Sequence, residues 1–301
     1  MTVAPSPAAA SAGSAAAAPA SRTVARVVAG MPAEDGAGVR LTRLVGQPRL
    51  PDLDPLLMLD RIQSDDPGAY IAGFPPHPHR GFETVTYLVQ GRMRHRDNHG
   101  HEGLITDGGV QWMTAGRGIE HSEMPEQTDG LLFGFQLWLN LPAAEKMREP
   151  WYRDIPAADL ARLTPAPGVA VTLIAGRWDA AEGPAPQRST APFIADVALA
   201  PGAAVDIPIP AGHAAFVHPF AGSVTLGPAG EGERVHDGWL AVLGEGAAVR
   251  AAADADAPTG ARLLVVAGRP LHEPIAKYGP FVMNTRDEVI QAVDDYRAGR
   301  F

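Results

Sequence analysis

Glycine and proline interrupt this chain so often that a helical bundle is excluded. They number 33 and 29 of 301 residues, well above ordinary usage. Both residues set the backbone where turns form. The apolar runs left between them are short, at 171–174, 193–197, 205–209, 214–220, 235–242 and 263–266. Gly, Pro or Asp separates most of them. Many short strands at this spacing predict an all-β chain of sandwiches or barrels. With 46% apolar and 20% charged residues, there is ample material for a core.

Composition removes several functions. Cysteine is absent, which excludes disulfides, thiolate metal sites, Fe–S clusters and cysteine nucleophiles. The 25 basic and 34 acidic residues give a net charge of −9, and Lys146 and Lys277 each stand alone. No basic cluster points to nucleic acid. No run approaches 18 apolar residues, so no membrane-spanning helix is expected.

Four segments are expected along the chain. Residues 1–21 are Ala-rich and read as a disordered tail rather than a targeting segment. A cytoplasmic location follows only by default. Residues 22–145 form a first β domain. Residues 146–170 form an irregular linker in a stretch rich in proline, with Pro142, Pro150, Pro156, Pro165 and Pro167, where a helical turn or two is expected. Residues 171–301 form a second β domain. It ends in one helix over 287–296, where Thr285 and Glu288 have the spacing of a capping box and Val289, Ile290 and Val293 make an apolar stripe.

The chemistry concentrates in the first domain. His77 and His79 lie two apart, so on a strand they share a face at about 6–7 Å along the backbone. His121 and Glu123 repeat that spacing after Gly116 and Gly118, which permit a tight turn. Adjacent strands would gather the four around one point. Three neutral imidazoles and one carboxylate suit a divalent Fe, Mn, Ni, Cu, Co or Zn ion. Glu83 shares the parity of the His pair, with a bend possible at Arg80–Gly81. On the same count Val85, Tyr87 and Val89 continue the inner face, and Thr84, Thr86 and Leu88 face away. His95, His99 and His101 sit among Asp, Asn and Gly in a loop-like context, but His95 follows Met93 in a strand-like run and is the one expected nearest the pocket. Trp112, Met113, Phe133, Phe135, Leu137 and Trp138 read as core. Phe74 and Gln136 are candidates for the mouth of the site, and Lys277 and Arg269 for the interface between domains.

Several long stretches resemble the pirin family of the cupin superfamily. They are HPHRGFETVTYLVQG at 77–91, DGGVQWMTAGRGIEHSE at 107–123, FQLWLNLP at 135–142 and GPFVMNTRDEVIQAVDDYRAGRF at 279–301, with LDPLLMLD at 53–60. The resemblance implies tandem cupin β-barrels of the jelly-roll type (a bicupin), with a short C-terminal helix. It implies metal in the first barrel only, usually iron, here Fe(II) first among the ions above. Its ligands fall on His77, His79, His121 and Glu123. Glu83, where the general cupin pattern takes its carboxylate, is left a supporting role. The second block has no His pair of this kind, and His213, His218, His236 and His272 are expected to be ordinary residues.

The activity implied is a quercetin 2,3-dioxygenase-like oxidoreductase. It would use O₂ to open the central ring of a flavonol, a small planar aromatic substrate, to a depside and carbon monoxide. Glu123 would take the substrate's hydroxyl proton. The alternative implied is an iron-dependent, redox-sensing regulator that binds a transcription factor or metabolic enzyme. A metal-dependent isomerase or hydrolase is a third reading. A monomer with no nucleic-acid contact is expected in each case.

Overall fold

The computed structural model describes residues 21–186 and 188–301. Most of the tail expected at 1–21 lies outside the described residues. Ser21 itself bridges Ala248, and the Arg22 guanidinium donates to the carbonyls of His213, Gly244, Gly246 and Pro210.

The short-strand pattern resolves into two seven-stranded antiparallel sheets, each faced by a four-stranded one. The first large sheet runs, in spatial order, Trp151–Ile155, Val110–Thr114, Phe82–Gln90, Leu132–Asn140, Leu56–Ser64, Val39–Val45 and Met31–Asp35. Its four-stranded companion is Phe74–His79, Ile119–Pro125, Met93–Asp97 and Glu102–Ile105. The second large sheet runs from Val24–Ala29 through Trp239–Leu243, Ala214–Ala221, Ala261–Gly268, Phe193–Leu199 and Val169–Ala175 to Ala161–Leu163. Among the described residues the chain is therefore mostly β, with tandem β-sheet domains and one α-helix, as the cupin resemblance implies.

Apolar side chains alternate along these strands, and each large sheet buries both faces. Leu41, Ile62, Leu88 and Leu132 pack inward against Phe74, Met93 and Ile105 of the first small sheet. Val85, Tyr87, Phe135 and Leu137 face the other way and share a core with Phe216, Phe220, Leu264 and Val266 of the second large sheet. The two large sheets thus meet at the centre of the molecule. Tyr87 Oη donates to Asp196 Oδ2 across the junction at 2.5 Å, and Arg262 holds the same carboxylate at 2.6 Å.

Three local readings change. The proline-rich stretch holds the expected helical turns, at Ala143–Glu145 and Ala157–Asp159, but also two strands. Trp151–Ile155 completes the first large sheet and Ala161–Leu163 the second. The run at 235–242 is two strands, because Asp237–Gly238 turns the chain, with Gly238 at φ +82°. The helix, Arg286–Arg297, has the expected capping box. It buries Val289 and Ala292 while Ile290 stays 49% exposed. One residue on from Val289 is about 100° around the helix, outside the narrow packed face. Among the described residues no helix is long and apolar enough to cross a membrane.

Candidate metal centre

The Phe74–His79 strand pairs antiparallel with Ile119–Pro125, setting His77 opposite His121. The imidazoles of His77, His79 and His121 converge there, with one ring nitrogen from each within 4.8 Å of the others. His79 and His121 are buried, while His77 is half-buried. Burial pushes the pKa values of His79 and His121 well below the ordinary imidazole range, so both rings are neutral. His79 Nδ1 and His121 Nε2 are buried without a hydrogen-bond partner. Unpaired buried polar atoms are rare and costly. Converging imidazoles, with the Nε2 atoms of His77 and His79 3.1 Å apart and His121 Nε2 unpartnered, are the donor set a divalent transition metal takes, so the residues fit such an ion.

The two carboxylates have separate surroundings, and neither belongs to the histidine group. A register shift falls between His121 and Glu123. Beyond it, the buried Glu123 carboxylate accepts from Thr86 Oγ1 at 3.1 Å and Gln136 Nε2 at 2.7 Å. Glu83 lies elsewhere. Its fully buried carboxylate accepts from Thr114 Oγ1 at 2.6 Å and pairs with Arg188 of the second domain at 2.9 Å.

The parity expected for Glu83 fails at Gly81. That residue has φ +89°, and a Cβ there would stand 2.0 Å from the Val282 carbonyl oxygen. The reversal resets the alternation. Thr86 and Leu88 point into the first domain, and Glu83, Val85 and Tyr87 point toward the second. The buried Lys146 fastens this turn, donating to the carbonyls of Gly81 and Val282 and to Asn140 Oδ1. Burial lowers its pKa to about 8.

His95 is on a strand, as its place after Met93 suggests. It is buried, with its Nδ1 3.2 Å from His121 Nδ1. His99 and His101 are exposed in the turn that follows, and both donate their backbone N–H to Asp97 Oδ1. In the second domain His218 is buried with Nδ1 against the Trp239 carbonyl, and His213 is buried as well. His236 and His272 are exposed. Among the described residues, the His77–His79–His121 group is the one set placed to hold a metal.

Beside the histidines opens a cavity of about 710 Å³. Phe74 and Gln136 line it as expected, and so do His77, His79, Trp138 and Lys277. Trp138 is half-buried rather than core, edge-on to His79 at 5.2 Å and packed on Phe82. Strand position predicts its burial, but the site side of its strand ends at an opening. Trp112, Met113, Phe133, Phe135 and Leu137 are buried as expected. Lys277 donates to the Pro51 carbonyl at 2.7 Å at the cavity rim. Arg269 is exposed, and its backbone N–H bonds the Thr190 carbonyl.

The sequence reading missed a set of residues from the C-terminal segment. Arg80, next to His79, pairs with Asp295 at 2.7 Å and lies over the Phe301 ring at 4.4 Å. Tyr296 Oη donates to Glu120, next to His121, at 2.7 Å. A Cβ on Gly118 would stand 2.7 Å from the Phe301 ring. Nothing in local pattern announces contacts separated by more than 170 residues.

Comparison with known proteins agrees with this geometry. The Pirin family model matches residues 38–139, and the Pirin C-terminal cupin domain model matches 194–301. A Pseudomonas aeruginosa relative, whose name offers quercetin 2,3-dioxygenase as a proposed activity, is 50% identical over 285 residues. The match covers 92% of this chain and 97% of that one. Pirin of Homo sapiens is 40% identical over 264 residues, covering 87% and 88% of the two chains. The crystal structure of quercetin 2,3-dioxygenase from Acinetobacter baumannii superposes with a TM-score of 0.85 at 33% identity, over 94% of this chain and 99% of that one. With two family models spanning most of its length and relatives this close, the chain belongs to the pirin family.

Proposed function

We propose that this protein is a metal-dependent dioxygenase that opens the central ring of a flavonol such as quercetin with O₂. The observation that carries the reading is the convergence of His77, His79 and His121 beside an aromatic-walled cavity. The names of the close relatives point the same way. Each large sheet and its small companion are read as a cupin barrel, the first of which holds the metal. His77, His79, His121 and Glu123 are the assigned ligands, and Fe(II) is the assigned ion. Bound there, the ion supplies Lewis acidity toward a substrate hydroxyl and a redox centre for O₂.

The chain's own residues do the rest. Phe74 and Trp138 give the cavity flat apolar walls that suit a planar ring system and exclude water. Glu123 is the base for the substrate's hydroxyl proton. Gln136 and Thr86 each donate a hydrogen bond to its carboxylate and hold its orientation. His95 contacts the Nδ1 of His121 and fixes that ring's rotation. The balanced reaction is one flavonol and one O₂ to one depside and one carbon monoxide.

The test is product analysis with Fe(II)-loaded protein and quercetin in air. Depside and carbon monoxide in equal amounts, lost in His79→Ala, are expected. Substrate left intact by metal-replete protein would overturn the proposal and favour the redox-sensing regulator.

A further inference from the structure

The cavity that reaches the histidines also reaches an arginine whose donors are only partly used. Arg43, Asp60 and Asp35 line it together with His77 and His79. Arg43 Nε donates to Asp60 Oδ1 at 2.9 Å. Its Nη2 donates to Asp60 Oδ2 at 2.7 Å and to Asp35 Oδ2 at 2.8 Å. Nη1 has no partner among the described residues. The guanidinium is thus clamped on one side by two carboxylates, one of them buried, and left with a free donor.

Its position along the sheet is set by register. Arg43 stands opposite Asp60, Asp60 opposite Gln136, and Gln136 opposite Thr86. Gln136 and Thr86 are the two residues that hold Glu123. One polar row therefore runs across adjacent strands from the Glu123 end of the site to Arg43. Neighbouring strands lie about 4.8 Å apart, so Arg43 is roughly 10 Å from Gln136. That is the span of a multi-ring aromatic. The cluster of one arginine and two aspartates has a net charge of −1 when all are ionised. It repels an anionic substituent and accepts a neutral oxygen.

We propose that Arg43 determines substrate specificity by donating from Nη1 to a phenolic hydroxyl on the ring remote from the metal end. The proposal rests on the flavonol reading and extends it. The preferred substrate is a flavonol hydroxylated on its pendant ring. A flavonol with a bare pendant ring, or with a carboxylate there, binds more weakly.

The experiment is anaerobic binding to the metal-loaded protein, followed by tryptophan fluorescence. Three ligands are compared: quercetin, galangin (the same fused rings with an unsubstituted pendant ring), and a flavonol with a carboxylate on the pendant ring. Removing Arg43 alone would leave Asp60 buried without its partner. The variant is therefore Arg43→Met with Asp60→Asn, its fold checked by near-ultraviolet circular dichroism. Wild type is expected to favour quercetin over both other ligands by about tenfold, the worth of a charge-assisted hydrogen bond. The double variant is expected to bring quercetin and galangin within about twofold by weakening quercetin alone. Equal binding of all three by wild type, or a preference that survives in a folded double variant, would overturn the role of Arg43 and leave the flavonol reading standing. Failure of wild type to bind either quercetin or galangin would overturn both.

Discussion

Two buried carboxylates with different partners give the residue-scale account its sharpest contrast. Glu83 is held by Arg188, and Glu123 by the neutral donors Thr86 and Gln136. Breaking a buried ion pair leaves an uncompensated charge and costs about 3–5 kcal/mol. Arg188→Ala is therefore expected to lower unfolding stability by about that amount in a urea titration while the folded protein keeps its metal. Glu123→Ala is expected to do the reverse, with a small change in stability and loss of metal by elemental analysis. Full metal retention in Glu123→Ala and loss in Glu83→Ala would exchange the two assignments.

His218 sets a pH dependence of its own. Burial lowers its pKa to about 4, from an ordinary value near 6.5. As pH falls from about 6.5 to about 4, the unfolded chain takes up a proton that the folded one refuses, so stability falls. The loss approaches about 3 kcal/mol below pH 4. Replacing His218 with Gln is expected to flatten that part of a stability-against-pH curve.

At the scale of elements, legibility followed the range of the interactions. The His77–His79 strand and the capped helix are local patterns, and both stand where spacing puts them. The face of Glu83 was not legible, because period-two counting runs only to the next break, and Gly81 is that break. The edge strands Trp151–Ile155 and Ala161–Leu163 were hidden among prolines, since edge positions tolerate residues that interior strands do not. The helix gives two predictions. Thr285→Ala removes the cap and is expected to cost about 1 kcal/mol of stability. Deleting 286–301 removes Asp295, Tyr296 and Phe301 from the residues flanking His79 and His121. Metal affinity, read by chelator competition, is then expected to fall at least about tenfold. Unchanged affinity would reduce this segment to packing.

For the whole molecule, composition was enough to predict β layers but not their order. The strand Val24–Ala29 opens the segment 22–145 expected to form the first domain and yet completes the second large sheet beside Trp239–Leu243. Only non-local pairing decides that. The central core between the large sheets likewise mixes residues from both halves. It holds Tyr87, Phe135 and Leu137 on strands whose opposite faces carry Thr86, Gln136 and Trp138 toward the site. The second domain thus acts as the wall against which the site-bearing sheet packs.

The central claim is turnover at the three-histidine centre, and oxygen uptake tests it most directly. Protein reconstituted with Fe(II) without oxygen would be mixed with quercetin in air-saturated buffer, beside His121→Ala carrying the same added iron. The account predicts rapid uptake of one O₂ per quercetin by the wild type and none above free iron in the variant. Equal uptake in both, or none in wild-type protein with its metal confirmed, would contradict it.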